Sequence, residues 1–104
     1  MITKRTTLDR VEVLANGTLQ IRLLKIIAED ETVLAQQYHR TVVPPGTSID
    51  EQFAAVNVHL QEMGFPAVGA EDIARLQRLV VVEHTPEVVN AYLLVVAANA
   101  AASK

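Results

Sequence analysis

Apolar and polar residues alternate within three β-rich runs between Thr6 and Gly46, less clearly in the third, and recur at helical spacing from Ser48 onward. A strand turns successive side chains to opposite faces, whereas a helix brings positions three and four apart onto one stripe. Three β-rich runs, Thr6 to Leu14, Thr18 to Ala28 and Thr32 to Val43, are punctuated by Asn16-Gly17 and Glu29-Asp30-Glu31. Asn-Gly between such runs predicts a hairpin closed by a type I′ turn, with positive φ at both central residues. In the second run Leu19, Ile21, Leu23 and Ile27 share one face, interrupted by Lys25, while Gln20, Arg22, Leu24 and Ile26 share the other. A strand apolar on both faces near its end belongs in the middle of a sheet. In the third run Val33, Ala35, Gln37, His39, Thr41 and Val43 point one way, and Leu34, Gln36, Tyr38, Arg40 and Val42 the other. Pro44-Pro45 ends the ladder, since neither ring nitrogen has a hydrogen to donate.

The second half predicts three helices. Ser48-Ile49-Asp50-Glu51 is a capping box, in which Ser48 accepts from the N–H of Glu51 and the Glu51 side chain reaches back. Ile49, Phe53, Val56, Leu60 and Met63 then form one stripe, and Gly64 suits the left-handed residue that closes it. Glu71-Asp72 opens a second helix with the stripe Ile73, Leu76 and Val80, although Leu79 to Val82 is β-branched enough to read as a strand instead. Thr85-Pro86-Glu87 supplies an N-cap, a first-turn proline and an acid for a third helix towards Ala102. Between Ala91 and Ala98 this helix has no polar residue. A short chain has little with which to wrap it, so packing against copies of itself or a partner is expected.

The 104 residues suffice for one domain, residues 1–46 a β-meander and 47–104 its helical part. Two Phe, two Tyr and no Trp leave an aliphatic core. The net charge of −3 is interspersed, and the small basic groups Lys4, Arg5, Arg10 and Arg75, Arg78 read as solvated faces, so no nucleic-acid partner is expected. Without cysteine there are no disulfides, thiolate metal sites or cysteine nucleophiles. Lys4-Arg5 lead into polar, strand-like sequence with no secretory h-region. The uncharged run from Val88 to Ser103 is too short for a convincing membrane span and contains Asn90 and Asn99. These features predict a soluble chain made in the cytosol, with no membrane partner.

Candidate chemistry is sparse. His39, His59 and His84 lie twenty or more positions apart, unlike the three- or four-residue spacing of helical zinc ligands, so no metal is expected. Ser48 is better explained as a cap, and Ser103 sits in a terminal tail. The acid pairs occupy a turn and two helix starts, where local structure accounts for them. The four glycines stand singly, so no phosphate loop or other cofactor site is expected. Tyr38-His39-Arg40 is the one unusual polar cluster and a candidate recognition patch, because Tyr and Arg are enriched at interfaces; cross-strand packing by Tyr38 with solvated neighbours is the alternative.

The stretch Ile2-Thr3-Lys4, then Thr6 and Leu8 to Leu14, followed by Asn16 to Arg22, resembles the opening of small proteins encoded in the structural regions of tailed-bacteriophage genomes. Tyr38-His39-Arg40 before Val43-Pro44-Pro45-Gly46, and Thr85 to Val89 before Ala91-Tyr92, are similar to later segments of those proteins. The resemblance covers most of the chain, but its motifs are turns and caps, and the second and third helices are longer and more apolar than in the shorter members. It implies a virion component of tail, tail-fibre or baseplate type, made in the host cytoplasm, and supplies no catalytic residue.

The expected architecture is α+β: a three-stranded antiparallel meander, a helix, and a C-terminal helical hairpin. The expected function is non-enzymatic: a virion structural or assembly protein that binds itself or larger phage structural proteins. It would bury the apolar helix from Val88 to Ala98, with added pairing at a strand edge. Interface candidates are Tyr38, His39, Arg40, Val88, Val89, Tyr92, Leu93, Val95 and Val96. Alternatives are a capsid decoration or cement protein, a small regulator binding a host protein, and a small enzyme using His39 or His59 with Asp50 or Glu51.

Overall fold

A computed structural model describes residues 1–102; Ser103, weighed above as a nucleophile, lies outside them. Strands β1 (Ile2–Val13), β2 (Leu19–Glu29) and β3 (Thr32–Val43) form an antiparallel sheet in the order β1-β2-β3, followed by helices α1 (Ile49–Glu62), α2 (Ala70–Glu83) and α3 (Pro86–Ala102). The axes of α2 and α3 are bent by 83°, an open helical hairpin. Leu79 to Val82 is therefore helix. Leu76 beneath it is buried, and Leu79 and Val80 lie against the core, so packing of one helical stripe outweighs β-branched propensity.

The core lies between one face of the sheet and the helices. Leu19, Ile21, Leu23 and Val43 meet Ile49, Phe53, Val56 and Leu60 of α1, with Val68 and Leu76 closing the side. Ser48 Oγ accepts from the Glu51 N–H at 3.4 Å, which begins α1. Gly64, at φ +82°, ends it in a Schellman motif: Phe65 N–H donates to Leu60 O and Gly64 N–H to Gln61 O. Phe65 is thereby folded back onto the core.

Two β-bulges change which side chains meet the helices. Leu8 pairs with Leu23 but Arg10 with Arg22, so Asp9 is an extra residue in β1. An extra residue reverses the alternation beyond it. Leu8 and Val11 consequently both pack on the core, and Arg10 turns to the open face. In β3, Ala35 pairs with Ile27 but Val33 with Ala28, making Leu34 the extra residue. Val33 is thus moved to the open face, that of Tyr38, contrary to the simple alternation.

The first hairpin also differs from the expected type I′ turn. Gly17 has φ +91°, but Asn16 does not have positive φ; among the described non-glycine residues only Asp30 does, at 54°. Leu14 N–H donates to Thr18 O and Gly17 N–H to Leu14 O, a longer loop in which Gly17 alone takes the left-handed position. Asn16 Oδ1 instead accepts from the Thr18 N–H at 3.0 Å.

Strands of twelve residues run about 40 Å, whereas the fourteen residues of α1 span about 21 Å. One end of the sheet therefore projects beyond the helices, and the chain measures 54 × 31 × 20 Å. Thr32 to Tyr38 of β3 are exposed throughout.

Candidate functional site: an apolar helix and an open strand edge

Pro86 dictates where α3 leaves the body of the molecule. It lacks an N–H and disfavours helical geometry in the residue before it, so α2 stops at Glu83 and a new helix begins. Thr85 Oγ1 caps α3, accepting from the Val88 N–H at 3.3 Å. The corner between α2 and α3 is fixed to the first hairpin: His84 Nε2 donates to Gly17 O at 2.7 Å, while its Nδ1 is buried without a partner. Gly17 admits this contact because it has no side chain; a Cβ there would stand 2.5 Å from Val88 Cγ1 and 3.3 Å from Pro45 Cγ.

Beyond Tyr92 the described side chains of α3 are exposed. Val88, Val89 and Tyr92 are half-buried, but Leu93, Leu94, Val95 and Val96 expose 52, 72, 58 and 44% of their surface. These four consecutive positions point in every direction around the axis, at about 100° per residue. A cleft of about 380 Å³ runs between the hairpin loop at Ala15-Asn16 and the face formed by Val88, Ala91, Tyr92 and Val95. Val81 and Val82, at the end of α2, are also exposed. Among the described residues no single helix is long and apolar enough to cross a membrane; α3, at about 25 Å, falls short of a hydrocarbon core about 30 Å thick.

Tyr38, His39 and Arg40 do not form one patch, because neighbouring residues of a strand face opposite ways. Tyr38 and Arg40 lie on the open face. There Arg10, Arg22 and Arg40 stand in one row across the three strands, along a cleft of about 330 Å³. Like charges in register oppose the pairing. Arg10 is paired with Glu12, and Arg22 Nε lies 2.6 Å from Asp9 Oδ2 and over the Tyr38 ring at 4.3 Å. Arg40 lies at the edge of that arrangement, 5.9 Å from the same ring, with no carboxylate paired to it among the described residues.

His39 faces the helices, its ring centroid 5.4 Å from that of His59. Partial burial, then the nearby His59 and Lys25, hold its pKa below the ordinary value. His59 Nδ1 lies 3.9 Å from Glu62. Lys25 is only 6% exposed, with Nζ 3.6 Å from Met63 Sδ and over the Phe65 ring. Asp50, by contrast, accepts from Gln77 at the other end of α1, about 13 Å along the helix from His59. The acids weighed for catalysis thus lie apart from the histidines, and none of these residues lines either cleft described above. Among the described residues no three metal-ligating side chains converge.

The two edges of the sheet differ. Beside β1, Leu8 N–H donates to Asp72 Oδ2 at 3.1 Å, Thr6 Oγ1 to Pro66 O at 2.8 Å, and α2 flanks Leu8 and Val11. Ile2 to Arg5 of β1 are exposed, and among the described residues the outer side of β3 faces no strand and no such screen along Thr32 to Tyr38. Sequence reasoning did not single out Leu94, Val81, Val82 or this edge; the unbroken apolar run pointed to the first, but strand order had to be known for the last.

No family model, no curated protein and no solved structure matches the chain.

Proposed function

We propose that this chain is a non-enzymatic assembly protein that acts by burying α3 against other protein, as a homo-oligomer or docked on a larger structural protein. The observation that carries the reading is the exposure of Leu93 to Val96 on all sides of α3. Apolar surface of that kind is stable in water only when covered. The placement in a tailed-phage virion, at tail, tail fibre or baseplate, rests on the sequence resemblance alone; a capsid decoration role would use the same surface.

Light scattering of the eluting full-length chain over a range of concentrations tests the assembly. The wild type is expected as a discrete oligomer and Leu94→Glu at lower mass, since Leu94 is 72% exposed within its own chain. Equal masses for the two would refute burial of α3 by self-association. Finding the chain at fixed stoichiometry in purified particles tests the virion placement, and its absence from them would remove that placement.

A further inference from the structure

We infer that β3 pairs antiparallel with β3 of a second copy, joining two sheets into one of six strands about a twofold axis at Gln36. This deepens the assembly reading by naming a second surface, and the two surfaces can fail separately.

Three observations converge on it. First, β3 is open along Thr32 to Tyr38, whereas β1, likewise exposed from Ile2 to Arg5, is screened from Thr6 to Val11 by Asp72, Pro66 and α2. An edge of this length is usually blunted by charge or proline, yet Thr32 to Val43 contains one charge, Arg40, and no proline. Second, Val33 and Tyr38 are large apolar side chains that expose 51 and 48% of their surface on the same face. Third, Arg40 and Glu31, at opposite ends of this edge, have no ion-pair partner among the described residues.

The Leu34 bulge brings these features into one register. With Gln36 opposite Gln36, unbroken strands would set Arg40 against Thr32. The extra residue advances the count by one, so Tyr38 meets Val33, His39 meets Thr32, and Arg40 meets Glu31 of the second copy. Side chains directly paired must share a face of the sheet: the bulge returns Val33 to the face of Tyr38, and Glu31 in the turn just before β3 supplies the charge for Arg40. Each contact occurs twice by symmetry. The occupant is a second copy because the charges and the apolar pair complement one another within the same strand.

The experiment uses the full chain carrying Leu94→Glu, so that α3 contributes no association. Sedimentation and native mass spectrometry are run on this parent, on Arg40→Glu and Glu31→Arg added singly, and on their equimolar mixture with one partner isotopically labelled. The parent is expected to dimerise, each single change to weaken the dimer at least tenfold, and the mixture to form a heterodimer at parental affinity, because one pair is then reversed, the other native, and both are opposite in charge. Amide exchange across Thr32 to Val43 should slow as parent concentration rises. A parent that stays monomeric, single variants that dimerise as well as the parent, or a mixture no tighter than its components would each overturn the pairing. The mass change caused by Leu94→Glu in the otherwise wild-type chain reports on α3 independently.

Discussion

Gly17→Ala is a one-methyl change on which the joint between sheet and helical hairpin turns. At φ +91° an alanine adopts a backbone conformation costing about 1–2 kcal/mol. Its Cβ would also stand 2.5 Å from Val88 Cγ1, closer than two carbons can approach, with Pro45 Cγ at 3.3 Å leaving no retreat. Val88 is β-branched and helical, so its χ1 is confined. Relief requires an off-rotamer Val88 or a shift of the α3 corner, adding about 1–2 kcal/mol. The expected total is about 2–4 kcal/mol of lost stability, partitioned by a double-mutant cycle. Val88→Ala alone, at a half-buried position, should cost about 1 kcal/mol or less. In Gly17→Ala/Val88→Ala the clash is gone and only the backbone strain remains, so the loss should fall short of the sum by about 1–2 kcal/mol. Urea titrations of the four chains followed by far-UV circular dichroism measure each quantity. Strict additivity would show that Gly17 and Val88 do not touch, and the docking of α3 on the hairpin would then be wrong.

Lys25→Met should leave stability unchanged or raise it by up to about 1 kcal/mol, because the buried ammonium meets a thioether and a ring rather than an anion; thermal melting that shows a loss above about 1 kcal/mol would contradict that setting. The depressed pKa of His39 means that the unfolded chain takes up the proton first as pH falls. Its contribution is therefore fully present above the ordinary value of 6.5 and lost as pH drops through the lower folded value, and His39→Asn should remove that part of the slope in unfolding free energy between neutral and mildly acid pH. An unchanged slope would remove His39 as its source.

The sequence alone determined the order and type of nearly all elements, because each rests on local chemistry. Pro44-Pro45 must end a ladder, Ser48 and Thr85 must cap the helices after them, Gly64 must close α1, and a run without polar residues must make α3 apolar all round. Even the one open choice, Leu79 to Val82, was a contest between local propensity and a stripe that extends from Leu76. Tertiary structure decided which surfaces those elements present. Alternation read from the chain assumes an unbroken strand, so the bulges at Asp9 and Leu34, which send Arg10 and Val33 to the open face, had no local signature. Burial of Lys25 follows from Met63 and Phe65 folding over it at the end of α1. Asn16-Gly17 marked a hairpin but not its turn, since Gly17 is placed by Val88, Pro45 and His84, residues distant in sequence. The apolar nature of α3 was written in its residues, and a chain so short was expected to leave it uncovered; its direction was not, because that depends on an 83° corner which carries the helix away from the core.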